Sequence, residues 1–227
     1  MRDKDIDTIN SKGFHICSTL AQGRETKMRK HITIAVALII VLALVKAPVS
    51  EAGLYKVDPV HSEIEFSVVH MVIAKVRGAF QEYSATFEVD DQNLLTNVKA
   101  TIITKSLNTR IAKRDNHLRS EDFFYADKYP TITFRSDKVT RNKDGSYTVS
   151  GKITIRGVTK TIALKGGVAG PIKDPSGNMR MGFSAEGMIN RKDFGLNWNE
   201  IIETGGFIVG DEVKILLEGE GILKSGQ

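Results

Sequence analysis

The C-terminal three-quarters of the chain alternates apolar residues with charged or hydroxylated ones. Because side chains of a β-strand point to opposite faces in turn, a period of two predicts half-buried strands. The apolar positions fall in six main runs: Ile64, Phe66 and Val68; Ala85, Phe87 and Val89; Val98, Ala100 and Ile102; Ile132 and Phe134; Val149, Gly151, Ile153 and Ile155; and Val213, Ile215 and Leu217.

Turn-forming segments separate these runs, at residues 90–93, 142–145, 156–158 and 174–178. Together with several weaker runs, the six main runs predict about nine strands joined by hairpins. Such a series is typical of an all-β, antiparallel sandwich or a closed up-and-down barrel, and the alternation alone does not choose between them.

The N-terminal part has a different pattern. A basic cluster at residues 28–31 precedes an apolar run from Ile32 to Val45, and Ser50-Glu51-Ala52 places small residues at both ends of a tripeptide. The run would span about 21 Å as a helix, short of the roughly 30 Å hydrocarbon core of a bilayer. This combination predicts a signal peptide over residues 28–52 and a domain over 53–227.

Two questions about this region stay open, namely whether the apolar run is cleaved and where the chain starts. An uncleaved membrane anchor is the alternative to cleavage, and Lys46 directly after the apolar run favours it. Residues 1–27 delay the basic cluster, so we interpret them as an upstream extension, with Met1 and Met28 both candidate starts. After cleavage we expect a periplasmic protein with no stable insertion of the mature chain in the membrane.

Composition narrows the class further. Residues 53–227 carry 24 Lys and Arg against 22 Asp and Glu, a net charge of +2, which gives little support for nucleic-acid binding. The single cysteine, Cys17, precedes the domain, so neither a disulfide nor thiol chemistry is expected. Charges in nearly every strand and an aromatic content of 7% disfavour a transmembrane barrel.

Candidate catalytic and metal-binding motifs are weak. His61, His70 and His117 have no metal-ligand spacing, and Gly182 to Glu186 lacks the last glycine of a nucleophile elbow. We therefore expect no catalytic residue, no metal and no cofactor.

Thr109 to Leu118 is the best helical segment. Arg110, Lys113, Arg114 and His117 would share one face, which suits an anionic group such as a diphosphate. A merely solvated basic face, with Arg114 paired to a nearby acid, is the structural alternative.

Five segments together resemble one known family. They are Asp58-Pro59-Val60-His61-Ser62, residues 114–136, Gly151 to Lys160, Ile189-Asn190-Arg191-Lys192-Asp193-Phe194-Gly195, and Gly210 to Ile215. In order, over residues 55–223, they resemble the YceI-like family. The resemblance implies an exported, eight-stranded, lipocalin-like barrel that holds a polyisoprenoid chain, so that one of the nine runs is a broken or accessory piece.

Given that fold, the apolar face of the strands should line the lumen. We expect Ile64 and Ile132 to point inward, and Glu63, Glu65, Thr133 and Arg135 to point outward. Phe123-Phe124-Tyr125 should close one end, and Phe194 and Trp198 should line a mouth. The other candidate ligand contacts are Phe66, Val68, Phe87, Ile102, Phe134, Ile153, Phe183, Ile189 and Leu217. A ligand-free core would use the same residues.

The expected function is non-catalytic carriage or storage of an isoprenoid, or another long apolar lipid, in the periplasm. An enzyme acting on a lipid or amide is the alternative, and a cluster of titratable residues in the lumen would favour it. A structural protein with a filled barrel is a third possibility, which the lack of a continuous cavity would favour. The resemblance is compatible with a homodimer.

Overall fold

The computed structural model describes residues 52–201 and 206–224, and these form one antiparallel sheet of eleven strands and a short helix. The strands are β1 (Gly53–Val57), β2 (Glu63–His70), β3 (Ala74–Phe80), β4 (Tyr83–Val89), β5 (Leu95–Ile103), β6 (Leu107–Asn108), β7 (Thr131–Arg141), β8 (Tyr147–Ile155), β9 (Val158–Lys173), β10 (Met179–Asn190) and β11 (Val209–Leu223). The helix, α1, spans Ala112–Arg119.

The sheet closes on itself because β11 pairs with both β1 and β2. Its C-terminal part pairs Leu223 with Tyr55, and its N-terminal part pairs Val213 with Val68. β1 and β2 therefore occupy one barrel position, interrupted by a 3₁₀ turn at Pro59–His61. Pro59 suits the first position of that turn, since its missing N–H would have no partner there.

Two further barrel positions are divided in the same way. β4 pairs with β1 and β3 pairs with β2, so β3 and β4 form one bent strand. β5 pairs with β4 and β6 pairs with β3, so β5 and β6 also form one barrel position, one after the other. With β7 to β11, the eleven segments fill eight positions, which confirms the predicted eight-stranded, lipocalin-like barrel. Three strands are broken, where the sequence predicted one broken or accessory piece.

Each barrel position pairs with its neighbour in sequence, so the connections lie alternately at the two ends. The mouth end carries the β2–β3 hairpin, the segment 109–130 that contains α1, the β8–β9 turn, and the β10–β11 connection. The closed end carries the turns at 90–94, 142–146 and 174–178. This arrangement places α1 over one end of the lumen.

The helix is shorter than the sequence predicts. It begins at Ala112, and Arg110 before it has a φ of 68°, in the left-handed region. The expected basic face with Arg110 at its start is therefore wrong, because Arg110 is not part of the helix. Asn108 favours this turn, since its side-chain oxygen accepts a hydrogen bond from the Arg110 N–H at 2.7 Å.

No helix within the described ranges is long and apolar enough to cross a membrane. The upstream extension and the signal segment as far as Glu51 lie outside the described residues.

Candidate ligand-binding lumen

An apolar cavity of about 180 Å³ lies in the middle of the barrel. Engineered apolar cavities of roughly 150 Å³ stay dry and take up small apolar molecules, so a lumen of this kind favours an apolar ligand over water. Among the residues on its wall, those with polar side chains are Ser62, Glu65, Tyr83 and Arg191.

The structure brings most of the sequence-predicted lumen residues together on this wall. They come from β2, β5, β7, β8, β10, β11 and the mouth end, and are Ile64, Phe66, Val68, Ile102, Ile132, Phe134, Ile153, Phe183, Ile189, Phe194 and Leu217. Glu63, Thr133 and Arg135, expected outside, are not on it. Glu65 borders the cavity and also two grooves on the outer surface.

An aromatic cluster forms the floor of the lumen. Phe87 stacks on Tyr55 with ring centroids 5.1 Å apart, and Phe183 meets Phe87 edge-on at 5.8 Å. Below Phe183 lies a second apolar cavity of about 80 Å³. It shares five lining residues with the first, namely Val57, Val98, Leu164, Phe183 and Leu217. Phe87, predicted to line the main lumen, lines this smaller space instead, because its strand has already reached the closed end.

The mouth end is covered by aromatic side chains of two connections. Phe123 and Phe194 are almost fully buried and both border the cavity, together with Phe124. Trp198, predicted at the mouth, does not border it. Its ring packs behind them, 5.2 Å from Phe123 and 4.8 Å from His117 between centroids.

The two arginines expected at a head group are not brought to the lumen. Arg110 is exposed and borders an outer groove. Arg114 donates from Nε to the Thr109 hydroxyl at 2.7 Å and from Nη2 to the Thr109 carbonyl at 2.8 Å. Thr109 in turn donates to the buried carboxylate of Asp115 through both its N–H and its hydroxyl. This set of contacts ties the start of α1 to the end of β6.

Arg191 is the residue at the mouth whose role the sequence analysis did not identify. Only 4% of its surface is exposed, and its guanidinium donates to the carbonyls of Gly210, Leu196, Trp198 and Val209. Burial lowers its pKa, although Asp211 opposes that shift. Because arginine is rarely buried, the segment Ile189 to Gly195 did not predict that Arg191 points inward and holds the surrounding loops together.

A second arginine joins three of the mouth-end connections. Arg156, in the β8–β9 turn, donates to the carbonyl of Gly195 in the β10–β11 connection and, at 2.8 Å, to that of Glu121 after α1. The cover of the lumen is therefore held together by hydrogen bonds between loops as well as by aromatic packing.

Apart from Arg191 with Asp211, the described titratable side chains that contact one another lie outside the lumen wall. Arg180 pairs with Asp58, Asp174 and Glu220. Over residues 52–201 and 206–224, no three His, Cys, Asp or Glu side chains are placed to hold a metal ion. His61 contacts Asp58 and His117 contacts Asp122, each at 2.9 Å.

Comparisons with known proteins agree with this geometry. The family model for YceI-like domains matches residues 55–220. A UPF0312 protein of Staphylococcus aureus strain N315 is 38% identical over 165 residues, covering 72% of this chain and 94% of the relative. A Campylobacter jejuni YceI protein superposes with a TM-score of 0.60 at 33% identity, over 69% of this chain and 90% of that one.

A more distant solved structure shares the fold. It is a polyisoprenoid-binding domain of Saccharophagus degradans, with a TM-score of 0.53 and 14% identity, over 77% of this chain and 100% of that domain. At that identity the similarity shows the architecture alone.

Proposed function

The chain belongs to the family of YceI-like domains, and on that premise we propose that it binds one long isoprenoid lipid in the barrel lumen without catalysing a reaction. The observation that carries the proposal is the apolar cavity between the aromatic floor and the mouth-end cover. The distant Saccharophagus protein, a polyisoprenoid-binding domain, supports the choice of ligand class.

The driving force for binding would be burial of apolar surface. Transfer from water stabilises by about 25 cal/mol per Å², or about 0.8 kcal/mol for each buried methylene group. A slender isoprenoid chain therefore gains several kcal/mol in a lumen walled by Phe66, Phe134 and Ile153, without needing a polar anchor.

The catalytic alternative lacks support from the lumen. General acid–base chemistry on a lipid or amide needs positioned proton donors and acceptors within hydrogen-bonding reach of the substrate. Of the four polar groups on the wall, Arg191 already donates to four backbone carbonyls, and Glu65 also faces the outer grooves. The hydroxyls of Tyr83 and Ser62 donate to the backbone carbonyls of Ser62 and Glu220, respectively. Binding is the function that this wall favours.

The filled-barrel alternative is also disfavoured. It would require side chains to occupy the middle of the barrel, whereas a cavity of about 180 Å³ lies there. A space of that size exceeds several-fold the roughly 10–15 Å³ that one water molecule needs.

We further propose that carriage takes place in the periplasm, after removal of residues 1–52. The basic cluster, the short apolar run and the small residues before Gly53 support this. N-terminal sequencing of the exported protein should begin at Gly53. A form that keeps Ile32–Val45 in the membrane fraction would contradict both cleavage and periplasmic release.

Lipid carriage is tested by purifying the protein from its native host without detergent and identifying extracted lipids by mass spectrometry. We expect an isoprenoid close to one per barrel. Ala100→Trp, which fills the lumen, should remove it, because Ala100 borders the cavity. Ala163→Trp, on the exposed face of β9, should retain it.

The result that contradicts the proposal is equally specific. If the folded wild-type protein carries no apolar lipid, or if Ala100→Trp and Ala163→Trp carry the same amount, the lumen is not the binding site.

A further inference from the structure

We propose that the mouth end docks on an anionic lipid bilayer through an apolar rim, made of Met71, Val72, Ile73, Ile201 and Phe207. This inference rests on the proposed function, because it names the surface from which an isoprenoid would enter or leave the lumen. The rim lies at the end of the barrel that α1 covers, away from the aromatic floor.

The apolar side chains of the rim are highly exposed to solvent. Ile73 is 88% exposed, Val72 is 71% exposed and Ile201 is 76% exposed. Single exposed apolar residues are ordinary on protein surfaces, but contiguous apolar groups at one site indicate an interaction surface.

Hydrogen bonds make the two parts of the rim contiguous. The Met71 N–H donates to the carbonyl of Ile208 at 2.9 Å, and Ile201 forms a β-bridge with Phe207. His70, which precedes Met71, pairs with Val209 on β11. Val209 itself borders the lumen, so the rim begins where the lumen wall ends.

The backbone of the hairpin adds an independent argument. Met71 and Val72 have φ values of 50° and 65°, in the left-handed region that favours Gly and Asn. A β-branched residue there is strained, and a solvent-exposed valine gains no burial in return. The backbone strain and the exposure of the apolar side chains would both be offset if these side chains became buried in a partner.

The charges beside the hairpin indicate what that partner is. On the outward face, Lys75 lies opposite Val69 and Arg77 lies opposite Ser67, within four residues of the tip. The acids of this face, Glu65 and Glu63, lie farther along β2. Within the hairpin, positive charge therefore sits where phospholipid head groups would be when the tip is inserted, and negative charge sits beyond them. The exposed Glu212 lies on the neighbouring strand β11.

The β10–β11 connection contributes apolar surface without net positive charge. Lys192 approaches the Phe207 ring at 5.8 Å, but it also pairs with Asp211 at 2.9 Å, and Asp193 and Glu200 are exposed nearby. We therefore expect dependence on anionic lipid to reside in the hairpin pair Lys75 and Arg77.

A bilayer fits these loops better than a protein partner does. Highly exposed loop tips need a matching hollow on a rigid protein, whereas lipid head groups and acyl chains rearrange around them. A bilayer also suits the proposed ligand, since an isoprenoid dissolved in the bilayer would reach the lumen without crossing water.

The test is vesicle flotation with the chain beginning at Gly53. The matched domain makes up 94% of the length of the Staphylococcus aureus relative. The sheet formed by this part of the chain is also closed. We therefore expect residues 53–227 to fold on their own. Vesicles of phosphatidylcholine alone are compared with vesicles containing one-quarter phosphatidylglycerol. The rim variant is V72N/I73S. The control is V60N/I172S, which removes two similarly exposed apolar side chains, of the same two residue types, away from the mouth.

We expect the wild type and the control to float with the anionic vesicles. The rim variant should bind these vesicles at least about ten-fold more weakly than the wild type. K75Q/R77Q should lose the preference for anionic vesicles but keep the weaker binding to phosphatidylcholine. Equal binding by the rim variant and the wild type overturns the proposal. So does a wild-type dimer that the rim substitutions dissociate and that does not float, since the rim would then join two copies.

Binding of a short prenol, measured without vesicles, separates this inference from the lipid-carrier proposal. The rim variant should bind the prenol as the wild type does, because its lumen is unchanged. If the wild type floats but binds no prenol, docking stands and the carrier proposal fails. If it binds prenol but does not float, docking alone fails.

Discussion

The ring of Phe183 stands edge-on to the ring of Phe87, with centroids 5.8 Å apart and planes inclined by 63°. The pair divides the barrel interior into a main lumen of about 180 Å³ and a smaller cavity of about 80 Å³ below it. Under the proposed function, a ligand chain that enters from the mouth would end at Phe183.

Phe183→Ala should join the two cavities and shift binding toward longer prenyl chains. The variant should also unfold more easily, by about 3 kcal/mol, since truncation of a packed Phe leaves a cavity. Competition between prenols of different length measures the shift. Ile189→Ala, near the mouth, is the control and should leave the length preference unchanged; an identical shift in both variants would mean that Phe183 is not the floor.

Phe134→Asp should destroy both binding and folding. The Phe134 side chain borders the lumen and is 8% exposed, so the substitution leaves a cavity and an unpaired carboxylate in apolar surroundings. We expect a loss of more than about 3 kcal/mol in the free energy of unfolding, measured by urea denaturation.

Arg135→Asp is the matched control one residue along the strand. Arg135 is exposed and lies opposite Lys99 on β5 and Lys152 on β8, so an acid there relieves repulsion between like charges. Stability should change by less than about 0.5 kcal/mol or rise slightly. A strong loss from Arg135→Asp, with a harmless Phe134→Asp, would place the strand one residue out of register.

Arg114→Ala should weaken binding of a prenol and of a prenyl diphosphate by the same factor. Its guanidinium is committed to Thr109, so the expected effect is a loss of stability of about 1.5–3 kcal/mol with α1 less firmly held. Isothermal titration with both ligands, at a temperature where the variant is folded, measures this. A selective loss of the diphosphate would instead assign Arg114 to the head group.

Acid should loosen the contact between the β1–β2 bend and the β9–β10 turn. Hydrogen bonds from His61, Arg180 and the Val60 N–H lower the pKa of Asp58 to about 2, and Arg180 also holds the pKa of Asp174 well below its usual range. Both pKa values are lower in the folded protein than in the unfolded chain. Their stabilisation is therefore present above about pH 4 and is lost as the pH falls toward 2.

Thermal unfolding between pH 7 and pH 2 checks this. Asp58→Asn should lower the melting temperature at pH 7 and flatten its decline below pH 4. Asp91→Asn, in the exposed turn after β4, should keep the wild-type slope. A wild-type slope in the Asp58 variant would show that this carboxylate does not contribute to acid sensitivity.

The sequence was sufficient for the six strands that carry its main alternating runs, β2, β4, β5, β7, β8 and β11, and for the inward faces of most of them. The period of two in Ile64, Phe66 and Val68, or in Ile132 and Phe134, follows from local backbone geometry and needs no knowledge of the partner strand. It did not choose between a sandwich and a closed barrel; the family resemblance made that choice, and pairing of β11 with both β1 and β2 confirms it.

The ends of the barrel were decided by tertiary structure. The period-two pattern places Phe87 on the inward face of its strand, but its position along the barrel axis puts it below Phe183. The pattern shows which face a residue lies on and not how far along the axis it lies. Trp198 stands behind Phe123 because the β10–β11 connection folds over the cover of the lumen. A left-handed turn excludes Arg110 from α1. Arg191, for which the sequence indicated no role, is buried among four backbone carbonyls and the carboxylate of Asp211. Periodicity is a property of neighbours in the chain, whereas burial at a barrel end depends on contacts between loops that only the closed fold brings together.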